Sequence, residues 1–256
     1  MTSDAPDPAG WPRGYARIVL DETDSTLSEA ERRFDTLSGP TWILALRQQK
    51  ARGRRGRPWK MSDGNFAGTL TLPGIDAPGR AALRSFVAAL ALFDSFVAVT
   101  GKPDAFALKW PNDVLLNGGK VAGILLESVQ RGGKLAGLSI GIGINLAAAP
   151  AIKDLPEGSV RPVALNSETG AHVTPEEFLT ALADSYAHYE TQFTTYGFEP
   201  IRAAWLARAA RLGDVIVART STSQTRGRFE TVDDQGHLIL TTDKGRVNIA
   251  AADVYF

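Results

Sequence analysis

The sequence predicts an α+β chain: a mixed, largely antiparallel sheet carrying helices, followed by a small C-terminal β module. Three observations predict it. Apolar runs follow one another through tight hairpin signals between Phe106 and Leu146, which pairs strands as antiparallel neighbours and disfavours a doubly wound sheet. Two segments carry apolar residues at three-or-four spacing, the period of a core-facing helix. Beyond Arg211 the character changes to short strands separated by turns.

The elements follow in order. Residues 1–14 hold Pro6, Pro8, Pro12 and two glycines and read as a loose lead-in. Ala16 to Leu20 is a strand ending in the acidic turn Asp21-Glu22-Thr23-Asp24. Ser25 and Thr26 then stand where a helix cap belongs, with Glu29 as capping-box partner. Thr41 to Gln48 and Phe66 to Leu72 are strands on either side of a Gly/Arg stretch. A helix over about Gly79–Val99 lines up Leu83, Phe86, Val87, Leu90, Phe93 and Val97. Phe106–Trp110, Val114–Leu116 and Val121–Val129 are strands, the last two joined by Asn117-Gly118-Gly119. Gly132-Gly133 turns into a strand over Leu135–Leu146. Residues 147–169 are Ala/Pro-rich and irregular. Thr174-Pro175-Glu176-Glu177 is a complete helix start, and Phe178, Leu182, Tyr186, Tyr189, Phe193 and Tyr196 form a stripe read as core. A second helix covers about Glu199–Ala210. The strands Val215–Arg219, Arg226–Val232, Leu238–Thr242 and Arg246–Ala250 make a small barrel. The domains are therefore 15–210 and 211–256.

Composition narrows the chemistry. The 256 residues include 28 Lys plus Arg and 28 Asp plus Glu, so no global charge draws the chain to nucleic acid or membrane. Cysteine is absent, which excludes disulfides, a thiol nucleophile and thiolate metal sites. His172, His188 and His237 lack ligand spacing, so neither a zinc site nor a Ser-His-Asp triad is expected. The N-terminus carries no signal pattern, and the longest apolar stretch, Val87 to Phe93, is too short to cross a bilayer. A soluble, cytoplasmic protein is expected.

Any basic feature is thus local, and it lies at Arg47–Arg57 (RQQKARGRRGR), with six basic residues, two glycines and no acid in eleven positions. Glycines let backbone N–H groups approach an anion, while arginines offer planar forks to phosphate or carboxylate. Its place between two strands favours a compact anion, with a nucleic-acid arm or a plain solvated loop as the alternatives. Lys109-Trp110-Pro111-Asn112-Asp113 places a lysine at a strand end before a rigid step; Asn112 and Asp113 also suit a turn. Gly141-Ile142-Gly143-Ile144-Asn145 strips side chains from one strand face, which permits close approach by a ligand or another strand. Neither GxxxxGK[ST] nor a GxGxxG between strand and helix is present.

In order along the chain stand Asp24-Ser25-Thr26, Gln48-Gln49 with Arg52-Gly53-Arg54-Arg55-Gly56-Arg57 and Trp59, the Lys109–Asp113 string, Lys120-Val121-Ala122-Gly123-Ile124-Leu125-Leu126-Glu127 and the Gly141–Asn145 string. Together they resemble the biotin protein ligase family over about residues 16–256. The resemblance implies a class II synthetase-like catalytic domain with an SH3-like C-terminal domain, and an ATP-dependent, AMP-forming ligase reaction. Biotin's carboxylate would attack the α-phosphorus of MgATP to give biotinoyl-5′-AMP and pyrophosphate. A lysine of a biotin carboxyl carrier protein domain would then take the biotinoyl group and release AMP. No protein nucleophile is required, which agrees with the missing cysteine.

Site roles are implied residue by residue. Ser25 and Thr26 would bind biotin's polar ring end, with a helix cap as their other role, and Gln48 would lie beside them. Arg52, Gly53 and Arg54 would form the loop that closes over the acyl-adenylate. Lys109 would bridge carboxylate and α-phosphate, making Lys109 and Arg54 the catalytic pair. Arg57, Trp59, Lys120 and Asn145 would complete the adenylate side with Arg52, Arg54 and Lys109; Lys120 and Gly123 also suit hairpin geometry. Magnesium would arrive with ATP and no protein metal site is implied. Relatives can pair through the sheet, so a homodimer is a further implication. Leu27 stands where the family usually has asparagine, and Ala51 replaces the first glycine of the family's GRGRRG. The first strand begins near Ala16, so no N-terminal helix-turn-helix, no DNA partner and no repressor function are expected. A lipoate or octanoate transferase on the same fold, and a nucleic-acid module using the basic loop, are the competing readings.

Overall fold

The computed structural model describes residues 7–151, 160–220 and 222–255. Seven strands form the main sheet: β1 (Ala16–Thr23), β2 (Thr41–Gln48), β3 (Phe66–Pro73), β4 (Phe106–Lys109), β5 (Asp113–Leu116), β6 (Gly119–Arg131) and β7 (Lys134–Ile144). Their order is β1-β2-β3-β7-β6-β5-β4. β1 and β2 run parallel and every other pair is antiparallel, so the sheet is mixed and largely antiparallel as predicted. The parallel pair requires a crossover, supplied by helix α1 (Thr26–Arg33).

The hairpins form where their dipeptides placed them. Asn117 (φ 49°) and Gly118 (φ 77°) both take left-handed backbone, the requirement of a tight primed turn, and Gly132 (φ 58°) and Gly133 (φ 74°) repeat it. Along β7, Leu138, Ile140, Ile142 and Ile144 enter the main core. On that side pack α2 (Pro78–Thr100), α4 (Pro175–Tyr196) and α5 (Phe198–Leu206). The other β7 face, carrying Gly137, Ser139, Gly141 and Gly143, lies under α1 and the residues that follow it.

Helix α4 starts with the expected capping box: Thr174 Oγ1 accepts from Glu177 N, and Glu177 Oε2 accepts from Thr174 N. At α1 the predicted box does not form. Ser25 occupies the cap position without a side-chain cap bond, Thr26 is the first helical residue, and Glu29 pairs instead with Arg32 and Arg33. The aromatic stripe of α4 is core through Phe193, but Tyr196 is 73% exposed in the last turn. Helix α5 ends at Leu206, short of Ala210, because the 207–210 segment turns to pair beside β4 through Leu108 and Ala209. By length and composition α2 could cross a membrane, contrary to the expectation from Val87–Phe93 alone; here it is a core helix with Val87, Ala88, Leu90, Ala91, Leu92 and Phe96 fully buried.

The lead-in is tied down from Pro8 onward. Trp11 N donates to Pro8 O, Trp11 Nε1 donates to Tyr15 O, and Trp11 and Tyr15 pack on the core. Residues 1–6 of that segment, and 152–159 of the irregular stretch, lie outside the described residues. Within the rest of the stretch, helix α3 (Leu165–Thr169) forms. The C-terminal module is a five-stranded antiparallel sheet in the order β11-β10-β9-β8-β12, with β8 (Val215–Arg219), β9 (Gln224–Val232), β10 (Leu238–Thr242), β11 (Gly245–Ile249) and β12 (Asp253–Tyr255). It docks on the larger domain: Trp110 Nε1 donates to Gly236 O at 3.0 Å.

Candidate functional site

One cavity of about 490 Å³ opens over the glycine-bearing face of β7. One wall is the N-terminus of α1. Asp24 Oδ1 accepts from Ser25 N at 2.7 Å and is itself clamped by Arg32, which holds the Asp24 carboxyl well below the usual range. Gln48, at the end of β2, accepts from Thr26 N at 2.6 Å through Oε1. Thr69 Oγ1, on β3, donates to Thr26 Oγ1 at 2.9 Å. Ser25 and Thr26 are thereby buried and aimed, presenting a neutral hydrogen-bonding end. Leu27 joins the wall, its side chain seated over Gly141, where an added Cβ would lie 2.8 Å from Leu27 Cδ1.

The opposite end is cationic. Its arginine–glycine loop folds as a small hairpin: Gly53 N donates to Arg57 O, Trp59 N donates to Ala51 O, and Arg52 bridges Pro58. A single helical turn, Arg54–Gly56, forms the tip, with Arg55 at φ 58°. Arg52 grips Glu127 of β6 bidentately (2.8 and 2.7 Å) and donates to Ser25 Oγ and Ser28 Oγ. Arg54 reaches Asn112 Oδ1 and Ala252 O. Trp59 lies against Gly143; an added Cβ there would stand 2.6 Å from the indole Cε2, so only glycine leaves the ring its place. The alternate glycines therefore admit a leucine and a tryptophan of this chain to the sheet.

Lys109 ends β4 and Lys120 is the second residue of β6, and both converge on Asp113: Lys120 Nζ is 2.6 Å from Oδ1 and Lys109 Nζ 3.7 Å from Oδ2. Burial pushes the Asp113 carboxyl up, but the two ammonium groups and Arg54 outweigh it and hold the group below its ordinary value. Burial also lowers Lys109, with Asp113 opposing. Lys109 is almost fully buried while the Lys120 side chain is 27% exposed and lies 5.5 Å from the Trp59 ring centre, so the pocket-facing cation beside the indole is Lys120. Asn112 Nδ2 donates to Ile124 O, which fixes the turn after the cis Trp110–Pro111 peptide. Asn145 Nδ2 donates to Val163 O, and its buried Oδ1 has no partner among the described residues.

The eleven residues to which the resemblance gives a catalytic or binding role all line this one cavity: Ser25, Thr26, Gln48, Arg52, Gly53, Arg54, Arg57, Trp59, Lys109, Lys120 and Asn145. Three acids escaped that reading in their roles. In sequence Asp113 suits a turn, Glu127 stands in a strand motif with no role implied, and Asp253 belongs to the C-terminal β module. Asp253, Val254 and Tyr255 of β12 line the cavity, so the C-terminal module completes it.

A model described as "Biotin/lipoate A/B protein ligase family" matches residues 17–145, and one described as "Biotin protein ligase C terminal domain" matches residues 213–256. The chain is 53% identical over 238 residues to a biotin–[acetyl-CoA-carboxylase] ligase of Paracoccus denitrificans, covering 93% of this chain and 99% of that one. The chain belongs to the biotin/lipoate A/B protein ligase family. This ligase is also similar, at 28% identity over 239 residues, to the bifunctional ligase/repressor BirA of Bacillus subtilis, covering 92% of this chain and 71% of that protein. Among solved structures it resembles a biotin protein ligase from Aquifex aeolicus in complex with biotin and ATP, with TM-score 0.79 and 25% identity over 93% of this chain and 97% of that one. The fold prediction holds: the α+β ligase domain and its C-terminal β module are both present.

Proposed function

We propose that this ligase activates biotin with ATP and transfers it to a lysine of a biotin carboxyl carrier protein domain. The observation that carries the reading is the polarity of the cavity. A neutral end built from Ser25, Thr26 and Gln48 faces, across an apolar wall of Leu27 and Leu125, a cationic end built from Arg54, Lys109 and Lys120. Such a space suits a long carboxylic acid whose ring is hydrogen-bonded at one end while its carboxylate meets a phosphate at the other.

In the first step a biotin carboxylate oxygen bonds to the α-phosphorus of ATP, the bond from that phosphorus to the α,β-bridging oxygen breaks, and pyrophosphate leaves with the electron pair. Lys109 and Lys120, fixed by Asp113, offset the charge gathered on carboxylate and phosphoryl oxygens; their positions before the substrates arrive are what makes this electrostatic help effective. Magnesium enters as MgATP, held by phosphate oxygens as is usual for that ion. The site's own acids, Asp113 and Asp253, are engaged by lysines and arginines. Trp59, beside Lys120 and over Gly143, offers an aromatic face for the adenine, and Asn145 offers a polar edge. The loop at Arg52–Arg57 screens the mixed anhydride from water. In the second step the carrier's lysine amine attacks the acyl carbon, AMP leaves, and the amine proton is lost to solvent.

The test is transfer itself. With biotin, ATP and magnesium, an isolated carrier domain gains one biotinoyl group by intact mass, and its Lys→Arg variant gains none. A carrier that gains no biotinoyl group, or that gains a lipoyl or octanoyl group instead, would overturn the reading.

A further inference from the structure

Arg54, Arg55 and Arg57 gather around one carboxylate. Asp253 Oδ2 lies 2.8 Å from Arg55 Nη1 and 3.1 Å from Arg57 Nη2, and Asp253 Oδ1 lies 3.6 Å from Arg54 Nη1. Arg54 Nη1 also donates to Ala252 O at 3.2 Å. Asp253 opens β12, an edge strand of the C-terminal module, and its side chain is only 18% exposed. Three guanidiniums on one carboxylate leave an excess of positive charge beside the cavity that Arg54, Arg57 and Asp253 all line. The tip of the loop carrying them is locally strained: Arg55 takes the left-handed backbone that a non-glycine residue adopts at a cost. A phosphate chain satisfies the same guanidinium forks that a carboxylate does.

We propose that Asp253 is the resident counter-ion of the arginine–glycine loop, holding Arg54, Arg55 and Arg57 together until a polyphosphate takes them over. The inference rests on the reading of this cavity as an ATP site. Carboxylate and polyphosphate then compete for one set of cations. The C-terminal module thereby weakens the hold on triphosphate and pyrophosphate, which favours departure of the pyrophosphate product. Binding of the polyphosphate frees β12 from its arginines, linking nucleotide occupancy to the docking of the small module.

Inorganic pyrophosphate is the probe, titrated calorimetrically into the full-length protein without biotin. Asp253→Asn binds pyrophosphate roughly fivefold more tightly than wild type, the factor of one ion pair of ordinary strength, and loses that gain more steeply with salt. Asp253→Glu returns to the wild-type affinity. Equal or weaker binding by Asp253→Asn, with its melting transition intact, overturns the proposal. Should that variant fail to fold, hydrogen exchange on the wild-type protein decides. Pyrophosphate then protects residues 53–57 and speeds exchange at 252–255, whereas protection of both segments together overturns the proposal. Pyrophosphate binding needs neither biotin nor turnover, so this result and the transfer assay fail independently.

Discussion

Replacing Gly143 by alanine puts a methyl carbon 2.6 Å from Trp59 Cε2, 2.7 Å from Nε1 and 3.0 Å from Cζ2. Ordinary carbon contacts lie at roughly 3.5–4.0 Å, so the indole must retreat by about 1 Å. Nothing else need change, because Ile142 and Ile144 face the core on the other side of β7. If the ring is the adenine platform, displacing it forfeits about half of a stacking contact worth ~1–3 kcal/mol, or about 1 kcal/mol. The KM for ATP then rises about fivefold, with the KM for biotin little changed. The assay is biotin-dependent exchange of labelled pyrophosphate into ATP, with each substrate varied in turn. The double variant Gly143→Ala/Trp59→Leu shows no loss beyond that of Trp59→Leu alone, since both act through one ring. An unchanged KM for ATP in Gly143→Ala refutes the assignment of Trp59.

Three further outcomes are expected. Exchange fails as pH rises through the Lys109 pKa, which burial has lowered from the ordinary lysine value, so the alkaline limb of the rate lies below that value and Lys109→Arg moves it upward; a limb that stays put in the variant assigns the titration elsewhere. The sign for stability follows from the same depression: the unfolded chain holds the proton more tightly, so this group's contribution to stability improves as pH rises through the window between the two pKa values. Arg54→Gly opens the loop and releases the acyl-adenylate, so bystander lysines become labelled; a variant that is simply inactive, or labels only the carrier, contradicts the screening role. Arg84, whose guanidinium holds Glu190 bidentately with both side chains nearly buried, binds α2 to α4; Arg84→Met strands that carboxylate and costs ~3 kcal/mol, read as a Tm lower by roughly 6–12 °C. A Tm within error of wild type contradicts that weight.

What the sequence made legible was local. Asn117-Gly118 and Gly132-Gly133 specify their turns through backbone that other residue pairs resist, and Thr174 with Glu177 caps α4 through contacts three residues apart. The same grammar failed at Glu29, where Arg32 and Arg33 one turn away offered charge-assisted partners stronger than a backbone N–H. The glycines of β7 announced a close approach, but not its occupant: Trp59 arrives from a loop more than eighty residues earlier. Asp253 was invisible for the same reason, since an aspartate in a short terminal strand acquires its meaning only when the module docks against the arginine loop. Asp113 read as a turn residue because its neighbours in sequence say so, while its burial between Lys109 and Lys120 comes from the pairing of β4, β5 and β6.

The central claim is that the cationic end of the cavity joins biotin's carboxylate to an adenylate. The most direct measurement is ATP–pyrophosphate exchange by the purified protein with magnesium, run in parallel with biotin, lipoate and octanoate. The account predicts exchange with biotin alone, abolished in Lys109→Ala while the variant keeps its fold. Exchange with lipoate or octanoate in place of biotin contradicts the substrate and points to Leu27, and no exchange with any acid contradicts the adenylation chemistry itself.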